Sequence, residues 1–342
     1  MNLKKIFFGF SPKVTARVLS VLVALVITLT FVRIYRSFDA NRQSDVPENP
    51  ENQNENTSQP GNGDSQNNES QSEFDFSGAS EVLNLINGKS AALCDLTDNK
   101  ILAMKNLSGK IPIKEATAFM VALTVSKAIN EEKILLSDEA VCPASAASKP
   151  GYQDSSEILP IGKRMKVSEI LRCLFYQDGS SFSYTLAVHI SGSEEAFVSE
   201  MNAYCQKLGL LSTSFSDCTG DDGSASVTTA YDLSVIIKYM LKDPLLKSIF
   251  CSNEMLVIGY GQNGSISLVV KNNFFENYCT ESQAKSDGIT GGKVSGERTD
   301  NWAAVLFYKD GREYLSLVCS GNNSFADSLM LYFAFALSGS SS

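Results

Sequence analysis

The sequence predicts a mixed α/β (α+β) fold, with one sheet built from both ends of a domain and a helical part inserted between them. Short runs typical of strands occur at 91–96 and 101–105, and again at 303–308 and 314–319. Between these runs, apolar residues recur at the three- and four-residue spacing of helices. We therefore expect the early and late strands to share a sheet, with the helices forming an insertion.

The remaining elements follow in chain order. The folded part is expected to begin near Phe76, with a helix at 80–86 and a turn at Thr97–Lys100 between the first two strands. Helical periodicity holds over five segments, at 116–129, 167–175, 181–190, 194–208 and 230–241. Two further strands and a closing apolar helix are predicted at 255–260, 265–270 and 325–337.

The composition excludes several classes of function. The chain has 342 residues and a formal net charge of -9, which disfavours nucleic acid or an anionic membrane surface as the main partner. A site made of several histidines is excluded because His189 is the only histidine in the sequence. We expect His189 to be a hydrogen-bonded structural residue, and we predict neither a metal nor another cofactor.

The eight cysteines do not form a recognisable metal or redox motif, because none lies in a close CxxC pair. Several lie within apolar runs, which favours unpaired thiols in the core. An even number in an exported domain would also permit disulfides, and eight cysteines allow 105 pairings among which the sequence does not choose.

The first 36 residues have the pattern of a membrane anchor. An uncharged apolar run at 18–32 lies between Arg17 and Arg33. The run covers only roughly 22 Å of a ~30 Å hydrocarbon core, and snorkelling of the flanking arginines can supply the difference. A cleaved signal peptide is the alternative, but the sequence at 33–36 offers no small-x-small cleavage site. We therefore predict that residues 1–36 form a cytoplasmic tip and a single membrane-spanning anchor, with the remaining chain on the extracytoplasmic side of the cell membrane.

Residues 37–74 are predicted to be a disordered linker. Between Ser44 and Glu73 the only large aliphatic side chain is Val46, and the other residues are mostly Asn, Gln, Glu, Ser, Asp, Pro and Gly. Such a segment cannot bury enough apolar surface to offset the entropy lost on ordering. The folded domain therefore comprises residues 75–342.

Several stretches of this domain, in order over residues 80–320, resemble the penicillin-binding D-alanyl-D-alanine carboxypeptidases of the serine peptidase family S11. The resemblance is carried by three stretches, at 190–202, 208–233 and 287–289. It implies an antiparallel sheet flanked by helices, with a helical subdomain forming one wall of the cleft, as in the β-lactamase and transpeptidase folds.

Three motifs supply the chemistry of that family. A Ser and a Lys three residues apart at a helix start place the nucleophile beside its base. A Ser-x-Asn motif relays a proton and binds substrate, and a Lys-Thr-Gly strand binds the substrate carboxylate. In this sequence the three motifs are replaced, in order, by Glu115 and Ala118, by Asp178 and Ser180, and by Thr290, Gly291 and Gly292.

The substitutions predict a catalytically inactive domain. Losing the nucleophile alone from a comparable serine hydrolase lowers turnover on the order of 10⁶-fold. Glu115 cannot replace the serine in acyl transfer, since the neighbouring base is also missing. We therefore expect a membrane-anchored cell-envelope protein that acts in peptidoglycan-related binding or regulation. Its expected partners are the membrane, through the N-terminal helix, and either a peptidoglycan stem peptide or an envelope protein.

Two alternatives remain open from the sequence. The first is an active serine D-alanyl-D-alanine carboxypeptidase, in which another hydroxyl such as Ser180 serves as nucleophile. The second is a different hydrolase that uses Glu115 and Asp178 as an acid/base pair. Ser282 and Lys285 have the Ser-x-x-Lys spacing, but we interpret this as a coincidence within a loop.

The sequence also predicts an acidic cleft. The family brings its first two motifs together, so Glu115 and Asp178 are expected within a few ångströms of each other. The third motif has meanwhile lost its lysine. We therefore expect the cleft to favour an amine or a metal cation over an anionic peptide terminus.

Overall fold

A five-stranded antiparallel sheet joins the two ends of the folded chain, as predicted. The computed structural model describes residues 82–149, 158–176, 180–220, 225–261, 264–294 and 301–338. The strand order is β2-β1-β11-β10-β9. Its strands are β1 (Ser90–Asp95), β2 (Lys100–Lys105), β9 (Ile289–Val294), β10 (Asn301–Lys309) and β11 (Arg312–Gly321). Every residue of β1 is buried, because helices or loops cover both faces of the sheet at its centre.

Helices occupy the middle of the chain, which confirms the predicted insertion. They are α1 (Thr117–Asn130), α2 (Val167–Tyr176), α3 (Ser180–Ser191), α4 (Glu194–Lys207), α5 (Ala230–Leu241), α6 (Pro244–Cys251), α7 (Asn273–Asn277), α8 (Glu281–Asp287) and the closing α9 (Ser324–Ser338). A helical stretch at 82–85 agrees with the described part of the first predicted helix. Side chains cap several starts: Ser193 accepts a hydrogen bond from the amide of Ala196, and Thr229 accepts one from Asp232.

The described residues also form three two-stranded antiparallel sheets. They pair β3 (Lys110–Pro112) with β6 (Val227–Thr229), β4 (Glu139–Val141) with β5 (Arg164–Lys166), and β7 (Glu254–Gly261) with β8 (Gly264–Lys271). The pair β3–β6 places the segment before α1 beside the segment before α5. This pairing thereby fixes the position of the chain segment that leads into α1.

The core lies on both sides of the five-stranded sheet. One cluster packs the sheet against the helical insertion, and a second packs it against α9, where Phe307 and Tyr332 stack with ring centroids 3.8 Å apart. All eight cysteines are free and seven of them are buried, so the expectation of unpaired core thiols is confirmed.

Several predicted segments lie outside the described residues. These are the N-terminal anchor at 1–36, the linker at 37–74 and the position of Asp178. Within the described ranges, we find no helix that is both long and apolar enough to cross a bilayer.

Candidate active site

The position of the family nucleophile holds a carboxylate with one unsatisfied oxygen. Glu115 lies in a single 3₁₀ turn, Lys114–Ala116, that leads directly into α1. The side chain is half-buried, and its Oε2 is inaccessible to solvent and has no hydrogen-bond partner among the described residues. A buried carboxylate oxygen without a donor is costly. The described residues therefore leave this oxygen of Glu115 without the donor that its burial calls for.

The backbone at Lys114, the residue before Glu115, is held in an unusual conformation. Lys114 has a φ of 50°, in the left-handed region that non-glycine residues rarely adopt. Gly220 lies directly against it, because a Cβ at position 220 would stand 2.3 Å from the Lys114 carbonyl oxygen. The loop carrying Gly220 thus fixes the entry into α1 and, through it, the placement of Glu115.

In the first turn of α1, the position of the family base holds only a methyl group. Ala118 is half-buried and carries no titratable group. The next residue, Phe119, is at the centre of an aromatic cluster, with its ring centroid 5.4 Å from Trp302, 5.9 Å from Phe175 and 6.0 Å from Phe250. Trp302 is 4% exposed and is therefore part of the core. Apolar packing thus dominates the surroundings of Phe119 at the start of α1.

Only part of the second motif falls within the described residues. Ser180 is the first residue of α3, and its side chain is not among those described. Asp178 lies outside the described ranges. The predicted proximity of Glu115 and Asp178, and the acid/base pair built on it, therefore remain predictions.

The third motif lies on β9, at the edge of the five-stranded sheet. Thr290 is half-buried, and its hydroxyl lies 3.4 Å from the carbonyl oxygen of Leu306 on β10. A Cβ at Gly291 would stand 3.1 Å from both Cys251 and Phe250, and one at Gly292 only 2.5 Å from the ring of Phe274. Both glycines are therefore packed closely against neighbouring side chains.

The first and third motifs meet at the same aromatic cluster. Phe119 follows the first motif in α1, and the Phe250 ring that it contacts also lies against Gly291 of the third. The structure thus brings these two motif positions to one region of the fold.

Lys293 is a residue of this region that sequence reasoning missed. It follows Gly292 on β9, it is 5% exposed, and its Nζ donates a 3.1 Å hydrogen bond to the carbonyl oxygen of Phe175. The only signal in the sequence is that Lys293 lies three residues after Thr290, the position at which the family has a lysine. Lysines are usually exposed, so the pattern alone gives no reason to place this one in the core.

Among the described residues, neither Cys251 nor the pair Ser282 and Lys285 has the properties of a replacement nucleophile. Burial raises the pKa of the Cys251 thiol to about 11, whereas a nucleophilic cysteine needs a lowered pKa. Ser282 and Lys285 were expected in a loop but lie on α8, where both are exposed. Within the described part of the chain, no three His, Cys, Asp or Glu side chains cluster in a way that could bind a metal ion.

His189 and a small pocket are two further features of the described residues. His189 was expected to be a hydrogen-bonded structural residue, but its Nε2 is buried and has no hydrogen-bond partner among the described residues. A small pocket is lined in part by Lys114 and Trp302, whereas Glu115 and Thr290 do not line it.

Comparison with known proteins agrees with this arrangement. A family profile described as D-alanyl-D-alanine carboxypeptidase (peptidase S11) matches residues 77–293, which is more than half of the chain. The D-alanyl-D-alanine carboxypeptidase DacF of Bacillus subtilis is 35% identical over 154 residues, or 45% of this chain and 39% of that protein. DacC of Escherichia coli is 29% identical over 161 residues, or 46% of this chain and 40% of that protein. The matched part thus spans about two fifths of the length of these relatives.

A solved structure with a similar fold supports the architecture. Penicillin binding protein 5 from Haemophilus influenzae superimposes with a TM-score of 0.62 at 20% identity, covering 75% of this chain and 71% of that one. At this level of identity the similarity concerns the fold alone. The predicted α/β class with an antiparallel sheet, helices and a helical subdomain is confirmed.

Proposed function

The chain belongs to the D-alanyl-D-alanine carboxypeptidase family, and from that premise we propose that its domain acts in peptidoglycan metabolism as a non-catalytic binding or regulatory component of the cell envelope. The observation that carries the proposal is the pair Glu115 and Ala118 at the start of α1. A carboxylate and a methyl group stand where the family has its nucleophilic serine and its lysine base.

The chemistry of acyl transfer does not survive these substitutions. A carboxylate carries no proton to give up and cannot form the acyl ester that a serine hydroxyl forms with the peptide, and Ala118 can neither accept nor donate a proton. Removing one member of such a unit already lowers turnover by on the order of 10⁶-fold. The role of the domain is therefore to bind rather than to cleave.

The ligand that suits this cleft is a stem peptide with a free amino group. Glu115 is half-buried, so its side chain is partly accessible from solvent, and the ammonium group of a diamino acid supplies three donors. A charge-assisted hydrogen bond between the ammonium group and the accessible part of the carboxylate would stabilise both. Specificity for an amine over a carboxylate follows from the sign of the charge on Glu115.

The cellular setting is proposed from the sequence. The apolar run at 18–32 supports a single-pass anchor in the cell membrane, with the domain on the extracytoplasmic side. Peptidoglycan is reached from that side, so the setting agrees with the proposed ligand. An envelope protein is the other partner that such a domain could bind.

An active serine carboxypeptidase is the second candidate, and family membership alone favours it. It requires a nucleophile other than residue 115. Ser180, at the second motif, is the hydroxyl that the sequence offers.

Calorimetric titration of the purified full-length chain tests the binding role. The probe is a synthetic stem pentapeptide that contains a diamino acid and ends in D-Ala-D-Ala. We expect binding that is lost in Glu115→Gln, a change that keeps shape and removes charge, and that is also lost when the peptide's side-chain amine is acetylated. A titration with Ca²⁺ shows whether a metal ion competes for the same carboxylate.

The outcomes separate the alternatives. No binding of either peptide, or binding that is indifferent to Glu115→Gln, would contradict a stem-peptide function for this cleft. Release of D-alanine from the peptide during the titration would instead establish the active carboxypeptidase.

A further inference from the structure

The interior of the domain contains a buried cation beside the degenerate motifs. Among the described residues, Lys293 is the one lysine or arginine that is buried. Transferring an ammonium group out of water is unfavourable unless other groups replace its hydration. A buried lysine next to a site that has lost its catalytic groups therefore requires a physical explanation.

The contact of Lys293 supplies that explanation. Its Nζ donates a 3.1 Å hydrogen bond to the carbonyl oxygen of Phe175, the second-last residue of α2. The last four carbonyl groups of a helix have no partner within the helix, and the negative end of the helix dipole attracts a cation. Lys293 thus satisfies an unpaired acceptor and places its charge where the helix favours it.

This hydrogen bond joins two walls of the cleft. β9 carries the third motif at the sheet edge, and α2 belongs to the helical insertion. The residues are 118 positions apart in the sequence, so the bond fixes a distant pair of elements. The ring of Phe175 also packs against Phe119 and Phe250, with centroids 5.9 and 6.5 Å away.

We infer that Lys293 is a positioning residue that fastens the C-terminal end of α2 to β9 and so sets the width of the cleft above the aromatic cluster. A side chain that is 5% exposed is poorly placed to receive a ligand from solvent, whereas it is well placed to hold two elements together. The last turn of α2 depends on this bond for its position. The further consequence, that the bond shapes the binding cleft, rests on the proposed function.

The experiment compares three variants of the full-length chain by amide hydrogen exchange. Lys293→Ala removes the amine and leaves space, and Lys293→Met removes the amine but fills the space. The matched control is Lys309→Met, because Lys309 on β10 makes the same kind of contact, from Nζ to the carbonyl oxygen of Ala336 in α9 at 3.2 Å. Helix α4 serves as the internal reference for exchange.

Both Lys293 variants should exchange faster at 172–176, by about tenfold relative to α4, because local opening is no longer opposed by the bond. Lys309→Met should leave these amides unchanged.

Addition of n-butylammonium should restore slow exchange in Lys293→Ala, while n-butanol, which lacks the charge, should not. Lys293→Met should not respond to either compound, since its cavity is filled. A role in packing alone predicts equal effects of the alcohol and the amine.

The result that would overturn the inference is an unchanged exchange rate at 172–176 in both Lys293 variants, or rescue by n-butanol. If a variant does not fold, the other still decides the question. Binding of the stem pentapeptide is measured in parallel and should weaken in Lys293→Met but not in Lys309→Met. If no chain binds the peptide while the exchange and rescue results hold, the proposed function fails and the positioning role stands.

Discussion

Gly291 lies so close to Cys251 that a Cβ at position 291 would stand 3.1 Å from the thiol sulfur. The family has a threonine at this position of the third motif. A threonine here would require Cys251 or Phe250, at the end of α6, to move. The present packing between β9 and α6 therefore leaves too little room for a threonine at position 291.

The first prediction concerns reversion of the first motif. The double variant Glu115→Ser, Ala118→Lys should remain unable to acylate with penicillin, because the second and third motifs stay degenerate. If Thr290→Lys and Gly291→Thr are added, Cys251→Ala should be needed as well, because it makes room for the threonine at position 291. Labelling with a fluorescent penicillin, measured by gel fluorescence, checks each variant, and full labelling of the double variant would contradict the prediction.

The second prediction tests the packing of Gly220 on the start of α1. Gly220 has a φ of 86°, and a Cβ there would stand 2.3 Å from the Lys114 carbonyl oxygen. Gly220→Ala should therefore lower the free energy of unfolding by about 3 kcal/mol, through the left-handed backbone and the clash together.

The matched control for that variant is Gly192→Ala. Gly192 has a φ of 80°, but a Cβ added there would meet no atom within 4 Å, so only the backbone cost applies. We expect a loss of about 1 kcal/mol there. Denaturant unfolding of both variants measures the difference, and equal losses would show that Gly220 does not support the entry into α1.

The third prediction concerns the thiols and alkaline pH. Burial raises the pKa of five cysteines from 9.0 to about 11 or about 12. They are Cys94, Cys173, Cys205, Cys251 and Cys279. A raised pKa in the folded state means that the stabilisation is complete below pH 9 and is lost as pH rises through the folded pKa. The free energy of unfolding should therefore fall between pH 9 and 11, by up to about 1.4 kcal/mol per pH unit for each thiol.

Denaturant unfolding in the presence of a reductant, at pH 7.5 and at intervals up to pH 10.5, measures this slope. In Cys173→Ala the free energy of unfolding should fall less steeply with pH, by the contribution of one thiol, because burial raises the pKa of Cys173 to about 12. An identical slope in the variant would contradict the assignment. The thiols should also react slowly with an aromatic disulfide reagent at pH 7.5, because seven of the eight are buried.

The fold was largely predictable from the sequence because its main elements are long and periodic. The strands β1, β2, β10 and β11 and the helices α1 to α5 all correspond to predicted segments. β3 and β6 have three residues each, which is too short for an alternating pattern to be recognised. Helix α8 was missed because Ala284 is its one described buried residue, so its sequence resembles a polar loop.

The site was less predictable, for physical reasons. Motif positions locate Glu115 and Thr290, but they do not show that Glu115 Oε2 is buried without a partner among the described residues or that Thr290 faces a carbonyl group of β10. The burial of Lys293 depends on the unpaired carbonyl of Phe175, far away in the sequence. Contacts of this kind arise from tertiary structure, and a pattern of single residues does not encode them.

The central claim is that the domain cannot form an acyl-enzyme. The most direct measurement is stoichiometric labelling of the purified full-length chain with a fluorescent penicillin, with penicillin binding protein 5 from Haemophilus influenzae as the positive control. We expect no covalent label on this chain, since Glu115 and Ala118 replace the nucleophile and the base. Labelling that approaches one penicillin per chain and survives denaturation would contradict the account.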